Sequence, residues 1–238
     1  MQLIYLDIKM LLIFLALYND ILYVYTLTDP SVSDIIKKGL MEENNQQKKR
    51  RSEILESAKE LFSTTGFHKA DMNEIAKRAN VAKGTVYLYY PSKKELFITV
   101  IKDGLENLSK KISDEVENNY DSVGKIKKAI STYMLFFADN QALYRILLHP
   151  DLALIEDVAK TMKDIKLSKL PQLADALKKG VEEKQIRKVD EKALSYMILG
   201  MIDFVLYQWL SNSGEEEPIE EKIEQIIDVL FRGILSEK

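Results

Sequence analysis

Several residue types that define common protein sites are absent or scarce in this chain. Its 238 residues include no cysteine, which excludes disulfides, thiolate metal ligands and cysteine nucleophiles. Two histidines, five prolines and nine glycines leave little imidazole chemistry and few breaks between helices. The motifs GxxxxGK, GxGxxG, HExxH and GxSxG do not occur. The sequence therefore predicts neither an enzyme nor a metal or cofactor site.

The charge is distributed unevenly along the chain. From Lys48 to Glu95, eleven Lys or Arg stand against six Asp or Glu, so this segment carries +5. The whole chain carries −3, which leaves −8 for the remainder. A basic segment in an otherwise acidic chain is typical of a part that contacts phosphate.

Two short helices with a tight turn between them are predicted inside the basic segment. Asp71 and Glu74 have the spacing of a capping box, which predicts that a helix begins there. Ile75, Ala76 and Ala79 would form its buried side. Asn80 tolerates a left-handed backbone better than other non-glycine residues, so it predicts the turn.

The second short helix is predicted from about 83 to 89. It begins with Lys83, Gly84 and Thr85, which are slim or basic residues suited to entering a major groove. Val86 and Tyr90 lie four residues apart and are expected to face the core. The remaining residues of this helix would contact the groove, the phosphates or the core, and they are Thr85, Tyr87, Leu88 and Tyr89. Pro91 ends this helix and Ser92 caps the next. The layout predicts a DNA-binding helix-turn-helix.

The residues that match a known pattern are IleAla at 75–76, LysGlyThrValTyr at 83–87, TyrTyr at 89–90 and SerLysLysGluLeu at 92–96, preceded by IleLeuGluSerAlaLysGluLeuPhe at 54–62 and ThrGlyPhe at 65–67. These matches resemble the TetR family of transcriptional regulators. The resemblance implies an all-α protein with a three-helix DNA-binding head at 48–96. It also implies a helical body at 97–238 that binds a small molecule and forms a homodimer. We therefore expect a cytoplasmic, ligand-responsive repressor that a largely apolar effector releases from a palindromic double-stranded DNA operator.

The resemblance also assigns DNA contacts. It implies that Lys83, Gly84 and Thr85 lie near base edges and that Tyr87, Tyr89 and Lys93 lie near phosphates. The basic run Lys48, Lys49, Arg50 and Arg51 has two interpretations: a solvated helix start, or a flexible arm that reaches an adjacent minor groove.

Three residues depart from the family pattern. Asp71 replaces a usual threonine cap and Asn80 a usual glycine, and both changes are mild. Ala82 replaces the usual serine or threonine cap of the second short helix, a loss of about 1 kcal/mol. The missing cap is the one feature that favours an alternative, a helical interaction module without specific DNA binding.

Helical periodicity continues through the body. Helices are predicted at about 93–118, 122–139, 141–148, 152–184, 190–210 and 218–235, with a break at His149 and Pro150. The segment 193–210 is apolar on all sides, which predicts burial on more than one side. Residues 219–234 repeat apolar side chains every three or four positions. We expect the last two helices to pair with their copies in a dimer, as the family does.

Aromatic and polar side chains in the body are candidates for an effector site. The proposed set is Tyr133, Phe137, Tyr144, Asp203, Phe204, Tyr207 and Gln208. Aromatic residues at helical spacing are more often plain core. Asp203 and Gln208 interrupt an apolar helix, so they need partners in a ligand, in a second subunit or in solvent.

The first 47 residues precede the basic segment, and their apolar part, 1–28, has two interpretations. A membrane-tethered regulator would use it as a span, although Asn19 and Asp20 interrupt it at a cost of about 2.5–3.5 kcal/mol for a central Asp. Our preferred hypothesis is that translation starts at Met41, which leads through a polar segment into Lys48. A membrane partner is not expected.

Overall fold

The computed structural model describes residues 30–117, 121–148, 160, 170–211 and 218–234. The apolar segment 1–28, the predicted break at His149 and Pro150, and most of 152–169 lie outside these residues. The regular structure of the described residues is helical, which confirms the all-α prediction. Among the described residues, those up to Glu53 and those from Ile54 onward belong to two separate units.

The helices, in chain order, are α1 (Pro30–Lys69), α2 (Met72–Arg78), α3 (Lys83–Tyr89), α4 (Lys93–Val116), α5 (Ser122–Asp139), α6 (Gln141–Leu148), α7 (Leu170–Glu182), α8 (Glu191–Ser211) and α9 (Ile219–Ile234). The predicted bounds agree to within two residues for α4, α5, α6, α8 and α9. Helix α1 has one non-helical residue, Gly66, at φ 74°. The helical backbone is therefore interrupted within the ThrGlyPhe match at 65–67.

Side-chain caps set several of these helix starts. Asp71 accepts a hydrogen bond from the Asn73 amide, which lowers the pKa of the Asp71 carboxyl. Ser92 Oγ accepts from the Glu95 amide at 3.1 Å, which confirms the predicted cap of α4. The predicted capping box at Glu74 is wrong. The Glu74 carboxylate instead accepts from Arg78 Nη2 at 2.6 Å, because an arginine one turn later offers a charged partner.

The first hydrophobic core belongs to the head. It contains side chains from the end of α1, from α2 and α3, and from the first half of α4, including Ile54, Phe62, Ile75, Val86 and Phe97. The rings of Phe62 and Phe97 meet edge to face with centroids 4.8 Å apart. Packing of this kind fixes the orientation of α2 and α3 against α4.

The second hydrophobic core belongs to the body. Helices α5, α7, α8 and α9 contribute to it, with Phe137, Leu177, Leu206 and Phe231 among its members. A hydrogen bond from Ser122 Oγ to Glu183 Oε2, 2.8 Å long, joins the start of α5 to the segment after α7. The body is therefore a helical bundle around one apolar interior.

Helix α6 contributes to both cores. Leu143 and Tyr144 belong to the body core, whereas Ile146 is fully buried in the head core. Gly104 of α4 is in close contact with Leu143, because a Cβ at position 104 would overlap the Leu143 side chain. This eight-residue helix therefore touches the helix that leaves the head and the interior of the body.

Helix α8 is the one helix among the described residues that is long and apolar enough to cross a membrane, with a mean hydropathy of 1.4. Its buried stripe, Ser195, Ile198, Ile202 and Leu206, lies in the body core. Burial on more than one side was predicted for this helix. In this single chain the other side is exposed.

Candidate nucleic-acid interface and effector site

The turn between α2 and α3 has the geometry that a helix-turn-helix needs. Asn80 adopts φ 53°, which confirms the left-handed turn residue. The Val81 amide donates to the Ala76 carbonyl at 3.0 Å and closes the turn. Val81 itself packs against the head core. Ala82 precedes α3 without a side-chain cap, as its methyl group requires.

Helix α3 has one buried side and one exposed side. Val86 and Tyr90 are buried in the head core, as predicted from their spacing. Lys83, Gly84, Tyr87 and Leu88 are exposed on the other side. This outer face, defined by these four residues, is the surface that α3 presents to a partner.

Gly84 has no structural reason to be glycine. It lies inside a helix, and a Cβ built there has no other atom within 4 Å. Glycine inside a helix lowers stability by roughly 0.5–1 kcal/mol relative to alanine. The empty space in front of Gly84 is therefore available for close approach by another molecule.

The remaining predicted DNA contacts occupy less exposed positions. Thr85 is half-buried, and Tyr89 packs partly against the head core. The Lys83 ammonium lies 5.9 Å from the centroid of the Tyr87 ring. Lys83 and Tyr87 are thus adjacent on the outer face, whereas Thr85 and Tyr89 flank it.

Lys93 is held by the head itself. Its Nζ donates to the carbonyl of His68 and to that of Ala70, both at 3.0 Å. The same ammonium lies 4.8 Å from the centroid of the Phe67 ring. The side chain therefore fastens the start of α4 to the segment between α1 and α2.

The basic run at 48–51 lies inside α1, in the unit that ends at Glu53. The residues Lys48, Lys49, Arg50 and Arg51 are exposed, and Lys49 approaches Glu53 to 3.9 Å. They are helical, so the interpretation as a flexible arm is wrong. Continuous helix through Ile54 is compatible with the high local charge because the side chains extend into solvent.

A polar cluster lies among the aromatic side chains of the body. Tyr133 Oη donates to Asp203 Oδ1 at 2.7 Å, and Tyr144 Oη donates to the Asp203 carbonyl at 2.9 Å. Burial and the neighbouring Asp203 carboxylate raise the pKa of both tyrosines. The Phe137 ring lies between them, with centroids 5.0 Å from Tyr133 and 5.1 Å from Tyr144.

The structure divides the predicted effector residues into two groups. Tyr133, Phe137, Tyr144 and Asp203 come together in the body. Phe204 and Tyr207 are 63% and 44% exposed, and Gln208 is exposed as well. The sequence could not separate the groups because α8 is apolar on all sides.

The exposed side of α8 was missed as a distinct surface. Tyr196, Gly200, Phe204 and Tyr207 recur every three or four residues along it, and Met197 is 64% exposed. A Cβ at Gly200 would meet no atom within 4 Å. The apolar stripe of α9 is different, since Ile223, Ile226 and Leu230 are buried in this subunit. The expected pairing of α8 and α9 with their copies in a dimer stays a prediction.

Two family models match successive parts of the chain. Residues 54–100 match the bacterial regulatory proteins of the tetR family, and residues 119–234 match the tetracyclin repressor-like C-terminal domain. The chain belongs to the TetR family. TetR proteins are ligand-responsive DNA-binding transcriptional regulators, so the head described above is a DNA-binding domain.

Known proteins similar to this TetR chain include transcriptional regulators. The fatty acid metabolism regulator protein of Bacillus subtilis is 23% identical over 194 residues, which are 79% of this chain and 97% of that protein. The transcriptional activator FasR of Mycolicibacterium smegmatis is 30% identical over 114 residues, 48% of this chain and 52% of FasR. The crystal structure of FadR from Bacillus subtilis in complex with stearoyl-CoA superposes with a TM-score of 0.66 at 22% identity. It covers 77% of this chain and 98% of FadR.

Proposed function

We propose that this TetR protein is a cytoplasmic homodimeric repressor that binds a palindromic operator and is released by a small, largely apolar molecule. The exposed outer face of α3, with open space in front of Gly84, is the observation that supports operator binding most directly. In a twofold dimer, two such faces would enter successive major grooves. The two halves of the operator would then be related by the same symmetry.

The proposed DNA contacts come from the family pattern, and exposure on α3 supports Lys83, Gly84 and Tyr87 among them. We assign Lys83, Gly84 and Thr85 to the base edges and Tyr87 and Tyr89 to the phosphates. Lys48, Lys49, Arg50 and Arg51 remain proposed phosphate contacts, now from a helix. For Lys93, its two carbonyl partners support a role in holding the start of α4 instead of a direct phosphate contact.

The exposed side of α8 supports the dimer. A face that includes Tyr196, Met197, Phe204 and Tyr207 is more apolar than a solvated helix face usually is. Gly200 at its centre would allow two helices to approach closely. We expect Phe204→Glu to dissociate the dimer in sedimentation experiments and Phe204→Leu to leave it intact. A Phe204→Glu protein that stays dimeric would exclude this surface.

The interior of the body supports an apolar effector. Tyr133 and Tyr144 both bind Asp203, and their rings contact the Phe137 ring, against which Phe136 packs. A solved relative holds stearoyl-CoA, so we propose a long-chain acyl-CoA thioester as the first effector class to test. Its acyl chain would pack among the aromatic rings.

Helix α6 provides a physical connection for the response. Tyr144 of α6 is bound to Asp203, while Ile146, two residues later, is buried in the head core. A ligand that displaces Tyr144 would shift α6 against α4, from which the head extends. The ligand needs only to bind this shifted form better than the DNA-competent form to release the operator.

The test is fluorescence anisotropy on operator fragments from the protein's own upstream region, with scrambled competitor, across a salt series. Competitor-resistant binding that palmitoyl-CoA or stearoyl-CoA reverses would support the proposal. Binding that follows salt alone, with no sequence preference, would contradict it. Transcription in vitro from the same fragment then distinguishes repression from activation.

A further inference from the structure

Leu88 is the most exposed large hydrophobic side chain among the described residues. It is 81% exposed, against 65% for Val229 and 64% for Met197. It stands near the end of α3, one turn after Gly84 and next to Tyr87. Burying a leucine side chain stabilises a protein by roughly 1.5–3 kcal/mol relative to leaving it in water. This chain leaves Leu88 in solvent.

The head core prevents Leu88 from turning inward. Val86 and Tyr90, on the opposite side of α3, are 0% and 3% exposed. Rotating the helix to bury Leu88 would expose both of them. Leu88 therefore keeps its outward direction in any state in which the head is folded.

The surroundings of Leu88 suit a nucleic acid better than a protein partner. Lys83 and Tyr87 share its outer face, and the segment 48–95 carries +5. The apolar surface proposed for subunit contact is on α8, in the body. Charge complementarity therefore favours DNA as the occupant in front of Leu88.

A leucine side chain has no hydrogen-bonding group, so it cannot bind the polar base edges. The apolar group that DNA exposes in the major groove is the C5-methyl of thymine. We propose that Leu88 contacts a thymine C5-methyl in each half of the operator and so contributes to sequence preference. This inference rests on the proposed operator binding. The absence of a side chain at Gly84 lets α3 approach closely enough for the contact.

The experiment removes only the methyl group. After a random-sequence selection defines the operator, each thymine is replaced singly by deoxyuridine, which keeps the O4 acceptor. We expect one thymine position in each half-site at which deoxyuridine weakens binding of the wild-type protein about 3- to 5-fold, the effect of one buried methyl group. Leu88→Ala should bind the thymine and deoxyuridine operators equally at that position.

Val229→Ala is the matched control, because Val229 is also exposed and apolar but lies on α9. It should retain the wild-type response to deoxyuridine. The thermal unfolding midpoint of Leu88→Ala should equal that of the wild type, since the side chain contacts little of the protein.

Two results would overturn the inference and can be told apart. If wild type and Leu88→Ala respond alike to deoxyuridine at every thymine, the thymine contact is excluded and operator binding stands. If the selection returns no preferred sequence, operator binding itself fails, and the thymine contact fails with it.

Discussion

The head of this protein carries its candidate functional groups on its exposed surface, whereas the body carries them in its interior. The head packs its apolar residues inside and presents Lys83, Gly84, Tyr87 and Leu88 to solvent. The body instead holds Tyr133, Tyr144 and Asp203 among aromatic rings. A DNA-binding surface must be open to a large rigid partner, whereas a small ligand can be enclosed. The difference explains why the short sequence motifs lie in the head, whereas the body matches its family over a whole domain, since many apolar interiors can enclose a ligand.

The largest effect is expected where the two regions meet. Ile146 is fully buried in the head core although it follows the body residues Leu143 and Tyr144. Ile146→Ala should lower the free energy of unfolding by about 2–5 kcal/mol, through lost burial and a cavity. Urea denaturation measures this. The control, Leu148→Ala in the same helix, changes a side chain that is 45% exposed. Equal losses of unfolding free energy in the two variants would contradict the finding that α6 contributes to both cores.

The next effect concerns the polar cluster of the body. Tyr133→Phe removes the hydroxyl that donates to Asp203 Oδ1, and we expect a loss of about 1–3 kcal/mol in unfolding free energy. Tyr87→Phe changes an exposed tyrosine of the head and should have little effect on the free energy of unfolding. The effector affinity of the Tyr133→Phe protein, measured by titration calorimetry, tells whether the cluster also binds ligand. A stability equal to that of wild type would mean that solvent replaces the lost donor.

Alkaline pH should lower the stability of the body. The pKa of Tyr133 and that of Tyr144 are raised above the value of about 10 for a free tyrosine. The folded protein therefore holds these protons more tightly than the unfolded chain does. The stabilisation is complete below pH 10 and falls above it, by up to about 1.4 kcal/mol per pH unit for each tyrosine. Denaturation series at pH 9 to 11 should show a smaller decline for Tyr133→Phe than for wild type.

Substitution of Lys93 tests whether this lysine stabilises the head or contacts DNA. Lys93→Met should lower the free energy of unfolding by about 1 kcal/mol, because two carbonyls lose their donor. The dependence of operator affinity on salt should not change. Lys48→Met is the comparison, because Lys48 is a proposed phosphate contact, and it should lower the salt slope by about one unit. A similar drop for Lys93→Met would restore Lys93 as a phosphate contact.

The smallest effect on stability is expected at the two glycines in open space, Gly84 and Gly200. Each substitution should weaken the binding of a different partner. Gly84→Ala and Gly200→Ala should each stabilise their helix by about 0.5–1 kcal/mol. Gly84→Ala should weaken operator binding about 10-fold, a penalty of the size of one mismatched base pair. Gly200→Ala should weaken subunit association instead. Anisotropy and sedimentation measure the two. The comparison of head and body fails if Gly84→Ala weakens subunit association or if Gly200→Ala leaves subunit association unchanged.

Local chemistry made the head predictable from sequence. Asp71, Asn80 and Ser92 each act on the backbone within three residues, so their roles do not depend on distant packing. The error at Glu74 arose because Arg78 competes for the same carboxylate. Lys93 could not be predicted, since its carbonyl partners, at His68 and Ala70, lie more than twenty residues earlier in the sequence.

The body was less predictable because its helices lack polar markers. The predicted helix bounds of the body followed from periodicity. In the structure, Asp121 caps the start of α5 and accepts from the Gly124 amide at 2.7 Å. Periodicity did not show which side of α8 faces the body core, because both sides are apolar. Phe204 and Tyr207 were therefore grouped with Asp203, one residue or one turn away, although only Asp203 binds Tyr133 and Tyr144.

The position of Ile146 has a consequence for building chimeric regulators. The core of the DNA-binding head is not contiguous in sequence, because α6 supplies a side chain from more than forty residues beyond the match at 54–100. A fusion joined just after residue 101 would transplant a head with a hole at this place. Sensors assembled from this head and a foreign body will need either residues 141–148 or a designed substitute that fills the same space.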